Sequence, residues 1–115
     1  MVRRQKEILS SRKPSPFNGV GEITVRSLLE TEDEMYKKGR VFAHTTVYPG
    51  SAIGIHKHVN ESETYYILSG TGRYYDNGKT VEVTPGDVFF CGDGESHGIE
   101  AGNEPIEMVA LILYH

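Results

Sequence analysis

Residues 50–70 read GSAIGIHKHVNESETYYILSG, a stretch that sets metal-binding side chains between two strand-like runs. His56 and His58 are separated by one residue, so on an extended strand they project from the same face. Glu63 lies near the start of the next run, and a tight turn through residues 59–62 would bring its carboxylate back beside both imidazoles. We therefore expect these side chains to belong to one site.

A further histidine, His97, lies far along the chain, just after the glycine-rich loop at residues 92–94. From a neighbouring strand it could complete a set of three imidazoles and one carboxylate. Such a set suits a divalent first-row transition metal, and Mn, Fe, Co, Ni, Cu and Zn all stay open. On an octahedral ion, protein ligands of this number leave positions at which a small anionic substrate could bind.

Strand-like runs and turn signals alternate along most of the chain. Turn dipeptides stand at Pro49-Gly50, Asn77-Gly78 and Pro85-Gly86. Turn signals recur at intervals of roughly 8–12 residues with almost no helix between them, which is typical of an antiparallel sandwich or barrel. The sequence therefore predicts an all-β domain. Its clearest strand runs are residues 22–28, 41–48, 64–68, 71–75, 79–83, 88–90 and 106–114.

The spacing within residues 50–70 resembles that of a known family. The pattern Gly50-X5-His56-X-His58-X4-Glu63-X6-Gly70 matches the first cupin motif at every fixed position. Average residue usage puts a chance match at well under roughly one in a million per starting position. The sequence is therefore similar to small single-domain cupins.

The second cupin motif is matched less completely. Gly86, Gly94 and His97 stand at the expected spacing, but Gly92 replaces the usual proline and Ala101 the usual asparagine. Gly92 changes the rigidity of a loop, and Ala101 stands at a position that does not itself ligate the metal. The ligand position, His97, is unchanged.

The resemblance implies an antiparallel jelly-roll β-barrel with a metal in its mouth. The barrel glycines, Gly50, Gly70 and Gly86, would sit at strand ends, where tight turns need little side chain or a positive φ. Glu61 is a rival carboxylate, but its spacing from the histidines fits the motif less well. Carried over residue by residue, the metal ligands would be His56, His58, Glu63 and His97.

Four further side chains are candidates for contact with a bound molecule. Tyr65 shares the strand parity of Glu63, so it would point into the barrel, either to bond a metal-bound ligand or to fill the core. His44 and His115 could act as proton donors, but a structural role is favoured for both. The face of Arg73 stays open because a bulge beside it would change its direction.

Composition limits the class of protein. The chain has 115 residues and a single cysteine, Cys91, which fits one domain without an internal disulfide or a cysteine metal cage. Cys91 stands among apolar residues, so a buried and inert thiol is expected. No apolar run approaches the length of a membrane span, and no apolar signal segment follows the basic start, which predicts a cytoplasmic protein.

Charge is unevenly spread along the chain. The formal net charge is −4, but residues 1–13 hold five basic residues and one acidic residue, so the rest of the chain is clearly acidic. An acidic body argues against a nucleic-acid surface. Residues 1–18 are predicted to form an N-terminal arm, ordered by packing on the body or on a neighbour, and residues 19–115 the barrel domain.

The function hypotheses fall into two classes. The first is a metal-dependent enzyme, of decarboxylase or dioxygenase type, acting on a small oxygenated acid or related metabolite. The second is a module that binds a carbohydrate or acid through the metal without turnover. An inward-pointing proton donor would favour catalysis, whereas a cavity lined only by apolar groups would favour binding or redox chemistry with O2. The resemblance also implies a homodimer, formed through the N-terminal segment and an outer sheet face.

Overall fold

The computed structural model describes all 115 residues and contains ten β-strands in two sheets. Its helical segments are two single 3-10 turns, Gln5–Glu7 and Pro16–Asn18, and no helix is long and apolar enough to cross a membrane. The strands are β1 (Leu9–Pro14), β2 (Glu22–Leu29), β3 (Gly39–Val47), β4 (Ala52–Lys57), β5 (Glu61–Ser69), β6 (Gly72–Asp76), β7 (Lys79–Val83), β8 (Val88–Cys91), β9 (Ser96–Ala101) and β10 (Ile106–Tyr114).

The strands form a six-stranded sheet in the order β1-β2-β3-β10-β5-β8 and a four-stranded sheet in the order β4-β9-β6-β7. Every pairing is antiparallel, which confirms the predicted all-β jelly-roll barrel. Alternate residues of each strand point inward, and a cluster of 12 buried residues fills the space between the sheets. Tyr74, Ile99 and Met108 are among its most deeply buried members.

Two strands lie where the sequence shows no clear strand run. β1 reads LSSRKP, which has almost no apolar residues, and it forms by adding to the edge of β2. β9 reads SHGIEA, in which glycine and histidine interrupt the apolar–polar alternation typical of a strand. Ile99 within it is nevertheless fully buried. Both elements depend on pairing with strands distant in sequence, which local patterns do not report.

The N-terminal segment packs on the barrel. Arg3 donates hydrogen bonds to the Leu28 carbonyl at 2.7 Å and to both carboxylate oxygens of Glu34. Arg12 forms an ion pair with Glu22 on the neighbouring strand. Two basic residues of this segment, Arg3 and Arg12, therefore find acidic partners within the same chain.

Glycines with positive φ end several strands, as predicted for Gly50, Gly70 and Gly86. Gly70 and Gly86 have nearly the same φ, +90° and +91°, but different surroundings. A Cβ on Gly70 would overlap the Pro105 carbonyl oxygen, whereas one on Gly86 would meet nothing within 4 Å. Gly70 is therefore favoured both by its positive φ and by its close contact with the Pro105 carbonyl. Gly86 is favoured by its positive φ alone.

This pair gives a stability test. Gly86→Ala should lower the free energy of unfolding by about 1 kcal/mol, because only the left-handed backbone conformation is penalised. Gly70→Ala should lower it by about 3 kcal/mol or more, because the overlap with a backbone atom is added. Urea unfolding of the two metal-free variants measures both values, and equal losses would contradict the close approach at Gly70.

Candidate metal centre

The predicted ligands come from both sheets and meet at one point. His56 lies on β4 opposite His97 on β9, and His58 follows the end of β4. Glu63 is supplied by β5 of the other sheet. One ligand atom from each of the four side chains lies within 4.8 Å of the others, so the group could hold a metal ion.

The ligand atoms are the Nε2 atoms of the imidazoles and Oε1 of Glu63. Glu63 Oε1 lies 3.1 Å from Nε2 of both His58 and His97 and 3.9 Å from Nε2 of His56. The Nε2 atoms of His58 and His97 are 3.1 Å apart. The cluster is closed to solvent, since the Glu63 side chain is 9% exposed and those of His58 and His97 less.

Each imidazole has an outer partner that fixes its orientation. His56 Nδ1 bonds to the Gly54 carbonyl at 2.8 Å and His58 Nδ1 to Glu61 Oε2 at 2.6 Å. Because a carbonyl and a carboxylate only accept, the ring protons of both residues are assigned to Nδ1. His97 Nδ1 lies 2.9 Å from the Tyr74 hydroxyl.

This arrangement fits a metal. With protons on Nδ1, the Nε2 lone pairs of His56 and His58 point into the space that they share with Glu63. Lone pairs held this close repel one another unless a cation or a proton lies between them. Three imidazole nitrogens and one carboxylate oxygen match the preferences of a divalent transition metal.

The charge on Glu63 is set by two opposing effects. Burial raises the pKa of the Glu63 carboxyl, but in the metal-free cluster imidazoles that carry a proton on Nε2 outweigh burial and hold this pKa well below its ordinary value. Burial also lowers the pKa of His97, which favours its neutral form. An anionic carboxylate beside neutral imidazole is the protonation state that metal binding requires.

Glu61, the rival carboxylate, supports the centre from outside. Both of its oxygens accept hydrogen bonds from Arg40, at 2.8 Å each, while Oε2 also accepts from His58 Nδ1. The bonds from Arg40, and then those from His58, lower the pKa of the Glu61 carboxyl against the effect of burial. Glu61 is therefore a fixed anion that orients His58.

A cavity of about 160 Å³ adjoins the centre. Its lining includes His56, His58, Glu63 and Tyr65, together with two basic residues, Lys13 and Arg40. The Phe17 ring closes one side and stacks on His56, with ring centroids 4.0 Å apart and planes 10° apart. The remaining wall is mostly apolar and includes Ile23, Val25, Ile53, Met108, Ala110 and Ile112.

The other predicted candidates differ in position. Tyr65 is buried, lines the cavity and stacks on His97, with ring centroids 5.0 Å apart. Burial, and to a smaller extent the charge of Glu63, raises the pKa of the Tyr65 hydroxyl well above its ordinary value. His44 lies outside the cavity, because the inward positions of β3 beyond the register shift at Arg40 are the odd-numbered ones, and its Nε2 is bonded to Glu107 at 2.9 Å. Neither His115 nor Arg73 lines the cavity.

The last three residues considered in the sequence lie away from the cavity, two at the surface and one in the interior. His115 bonds to Asp93 at 2.7 Å on the surface, and Arg73 is exposed on β6. Cys91 is buried as predicted, and burial raises the pKa of its thiol to about 11, which favours the unreactive protonated form.

Sequence reasoning missed several residues of the site. The alternating pattern of the strand that contains Tyr74 indicates that this side chain is buried. Nothing in the sequence indicates its hydrogen bond with His97. Lys13 on β1, Phe17 on the 3-10 turn Pro16–Asn18 and Arg40 on β3 reach the cavity only through tertiary packing.

Comparison with known proteins gives consistent similarities. The family model described as "Cupin domain" matches residues 43–112. The oxalate-binding protein of Thermotoga maritima is 46% identical over 114 residues, which cover 98% of this chain and 93% of that protein. The L-ectoine synthase of Bordetella parapertussis is 28% identical over 103 residues, which cover 76% of this chain and 78% of the synthase.

Solved structures extend the similarity. The crystal structure of a predicted oxalate decarboxylase from Thermotoga maritima superimposes with a TM-score of 0.94, at 44% identity and with 100% of both chains covered. The ectoine synthase of P. lautus gives a TM-score of 0.67 at 26% identity, with 80% of this chain and 64% of the synthase covered.

The role of Glu61 can be tested by removing its charge. Glu61→Gln keeps an oxygen that can accept from His58 but loses the anion, so metal affinity should fall by about tenfold. Titration of the metal-free protein with Co2+, followed by visible absorption, measures the affinity. Glu107→Gln is the matched control, since Glu107 bonds His44 in the same manner outside the cavity. Equal affinities of the two variants would contradict the role of Glu61.

Proposed function

The chain belongs to the cupin family, and we propose that it binds a divalent transition metal and, through that metal, a small carboxylic acid. The observation that carries this proposal is the convergence of His56, His58, Glu63 and His97 beside a small cavity. When bound, the metal supplies positive charge that attracts and polarises a carboxylate oxygen.

The size of the cavity supports a small ligand. Its volume of about 160 Å³ is well below the roughly 300–1,000 Å³ of sites for drug-sized molecules. The mostly apolar wall leaves few groups that could bond the many hydroxyls of a sugar. An acid of a few heavy atoms, with its polar atoms at the metal end, suits this lining better than a carbohydrate.

The names of relatives support an acid of this size. One relative is called an oxalate-binding protein, and the match covers nearly all of both chains. We therefore propose oxalate, or a dicarboxylate of similar size, as the ligand of this chain. In that role Tyr65 would offer its hydroxyl to the bound acid, and the apolar wall would limit the access of water.

Catalysis is the second candidate function, and the inward position of Tyr65 favours it. Burial beside Glu63 keeps the Tyr65 hydroxyl protonated, so it could donate a hydrogen bond or a proton to a reacting acid. The outward His44 and the apolar wall favour binding without turnover. We place binding first, with decarboxylation or oxygenation of the acid as the enzymatic alternative.

Removal of one ligand tests the proposed centre. Protein purified without chelator should contain a transition metal, and calorimetry should detect oxalate binding to the loaded protein. His56→Ala should lose metal affinity by more than the roughly 10–100-fold typical of changes in outer partners, and oxalate binding should be lost with it. His44→Ala, a histidine outside the cavity, serves as the control.

The results separate the two functions. Retention of metal and oxalate by His56→Ala after reloading would contradict the proposed centre. Release of CO2 from oxalate by the loaded protein would assign the enzymatic alternative, and binding without any product would assign a binding protein.

We also propose that the protein forms a homodimer through the outer face of the six-stranded sheet. Tyr66, Leu68, Val88 and Phe90 form an apolar patch there, each at least 45% exposed. Arg3 and Arg12 of the N-terminal segment are paired within the chain, so we base the dimer proposal on the sheet face.

Light scattering at micromolar protein should give about twice the chain mass of 12.8 kDa. The double variant Val88→Ser/Phe90→Ser should give the monomer mass, because the patch loses its apolar surface. Val81→Ser, an exposed apolar residue of the other sheet, should leave the dimer intact. A monomeric mass for the unmodified protein would contradict the proposal.

A cytoplasmic location is proposed on the state of the one cysteine. Cys91 is buried and unpaired, so the fold gains nothing from an oxidising compartment. The proposed ligand would then be an acid of intracellular metabolism.

A further inference from the structure

The pairing of β1 with β2 sets the direction of Lys13. Lys13 lies directly opposite Ile23, and residues opposite one another in an antiparallel pair project from the same face. Ile23 is 5% exposed and lines the cavity, so the Lys13 side chain extends over the same cavity. Its neighbour Arg12 points the other way, to Glu22 and the Tyr48 ring.

Lys13 is the unpaired charge of the cavity. Apart from the histidines, the charged residues of the lining are Lys13, Arg40 and Glu63. Arg40 is neutralised by Glu61, and Glu63 is enclosed by imidazoles. No carboxylate lies within 4.0 Å of the Lys13 ammonium group, and this group makes no hydrogen bond within the chain.

The backbone on either side of Lys13 is held by neighbouring contacts. Ser15 donates a backbone hydrogen bond to the Gly21 carbonyl at 2.8 Å, which closes the turn that follows β1. Beyond it, Phe17 stacks on His56, a predicted metal ligand. The segment that carries Lys13 is therefore attached both to the sheet edge and to the centre itself.

We propose that Lys13 is a specificity-determining residue that selects a dianionic acid by binding the carboxylate turned away from the metal. This inference rests on the proposed function. A divalent metal with Glu63 and neutral imidazoles carries one net positive charge, and Lys13 adds a second. Two positive charges that border one small, mostly apolar cavity complement a small dicarboxylate, whereas a monoanion would leave Lys13 without a partner.

The test compares two acids of the same carbon number. Oxalate carries two carboxylates, whereas glycolate has a hydroxymethyl group in place of the second. Calorimetry on the metal-loaded full chain should show that Lys13→Met weakens oxalate binding by about tenfold and glycolate binding by less than about twofold. Methionine keeps the apolar stem of the side chain, so only the charge is lost. Lys13→Arg should retain most of the oxalate affinity.

Further controls isolate the local charge. Lys79→Met makes the same change in net charge on an exposed strand of the other sheet and should leave both affinities unchanged. Raising the salt concentration should weaken oxalate binding more in the unmodified protein than in Lys13→Met, since ionic screening acts on the lost interaction. Metal affinity should be the same in all of these variants.

The possible failures are distinguishable. If the loaded protein binds neither acid, the proposed function is contradicted and this inference with it. If it binds oxalate but Lys13→Met weakens both acids equally, weakens neither, or loses metal, the inference alone is overturned. A loss in Lys13→Arg as large as that in Lys13→Met would equally overturn it, because the charge would then not be the determinant.

Discussion

A carboxylate buried among three imidazoles is the interaction on which the rest of the structure depends. Glu63 belongs to the six-stranded sheet, whereas His56 and His97 belong to the four-stranded sheet. An isolated buried carboxylate is costly, and removal of one partner from a buried charged group leaves that cost uncompensated. A relative shift of the sheets would separate Glu63 from the histidines. The polar cluster therefore fixes how the two apolar faces meet, and the cavity beside it has a defined shape.

The same constraint extends outward from the cluster. His58 is oriented by Glu61, which Arg40 holds with both of its oxygens, and His97 is oriented by the buried Tyr74 hydroxyl. No buried side-chain nitrogen or oxygen lacks a hydrogen-bond partner. The donor atoms of the centre are thus turned toward one point by bonds that do not include the centre. Such preorganisation lowers the free-energy cost of ordering the ligands when a metal binds.

The sequence predicts this centre better than it predicts the cavity. The spacing of His56, His58 and Glu63 is local, and the period of a strand is enough to bring such residues to one face. The barrel follows from alternating runs and regularly spaced turns. Lys13 reaches the cavity through a pairing between β1 and β2 that local sequence patterns do not indicate, and Phe17 reaches it through stacking on His56. Whether His44 faces the cavity likewise depends on which face of β3 it occupies, and only the register of β3 with its neighbours determines that face.

The walls of the cavity differ in local stability. The lining strands β3 and β10 have paired neighbours on both sides, whereas β1, which carries Lys13, pairs only with β2 at the edge of the same sheet. Edge strands with exposed residues open at a smaller free-energy cost than central strands, well before global unfolding. Exchange of amide hydrogens should therefore be fastest on the wall that bears Lys13 and Phe17. A molecule held in the cavity would slow that exchange, because it stabilises the closed segment by mass action.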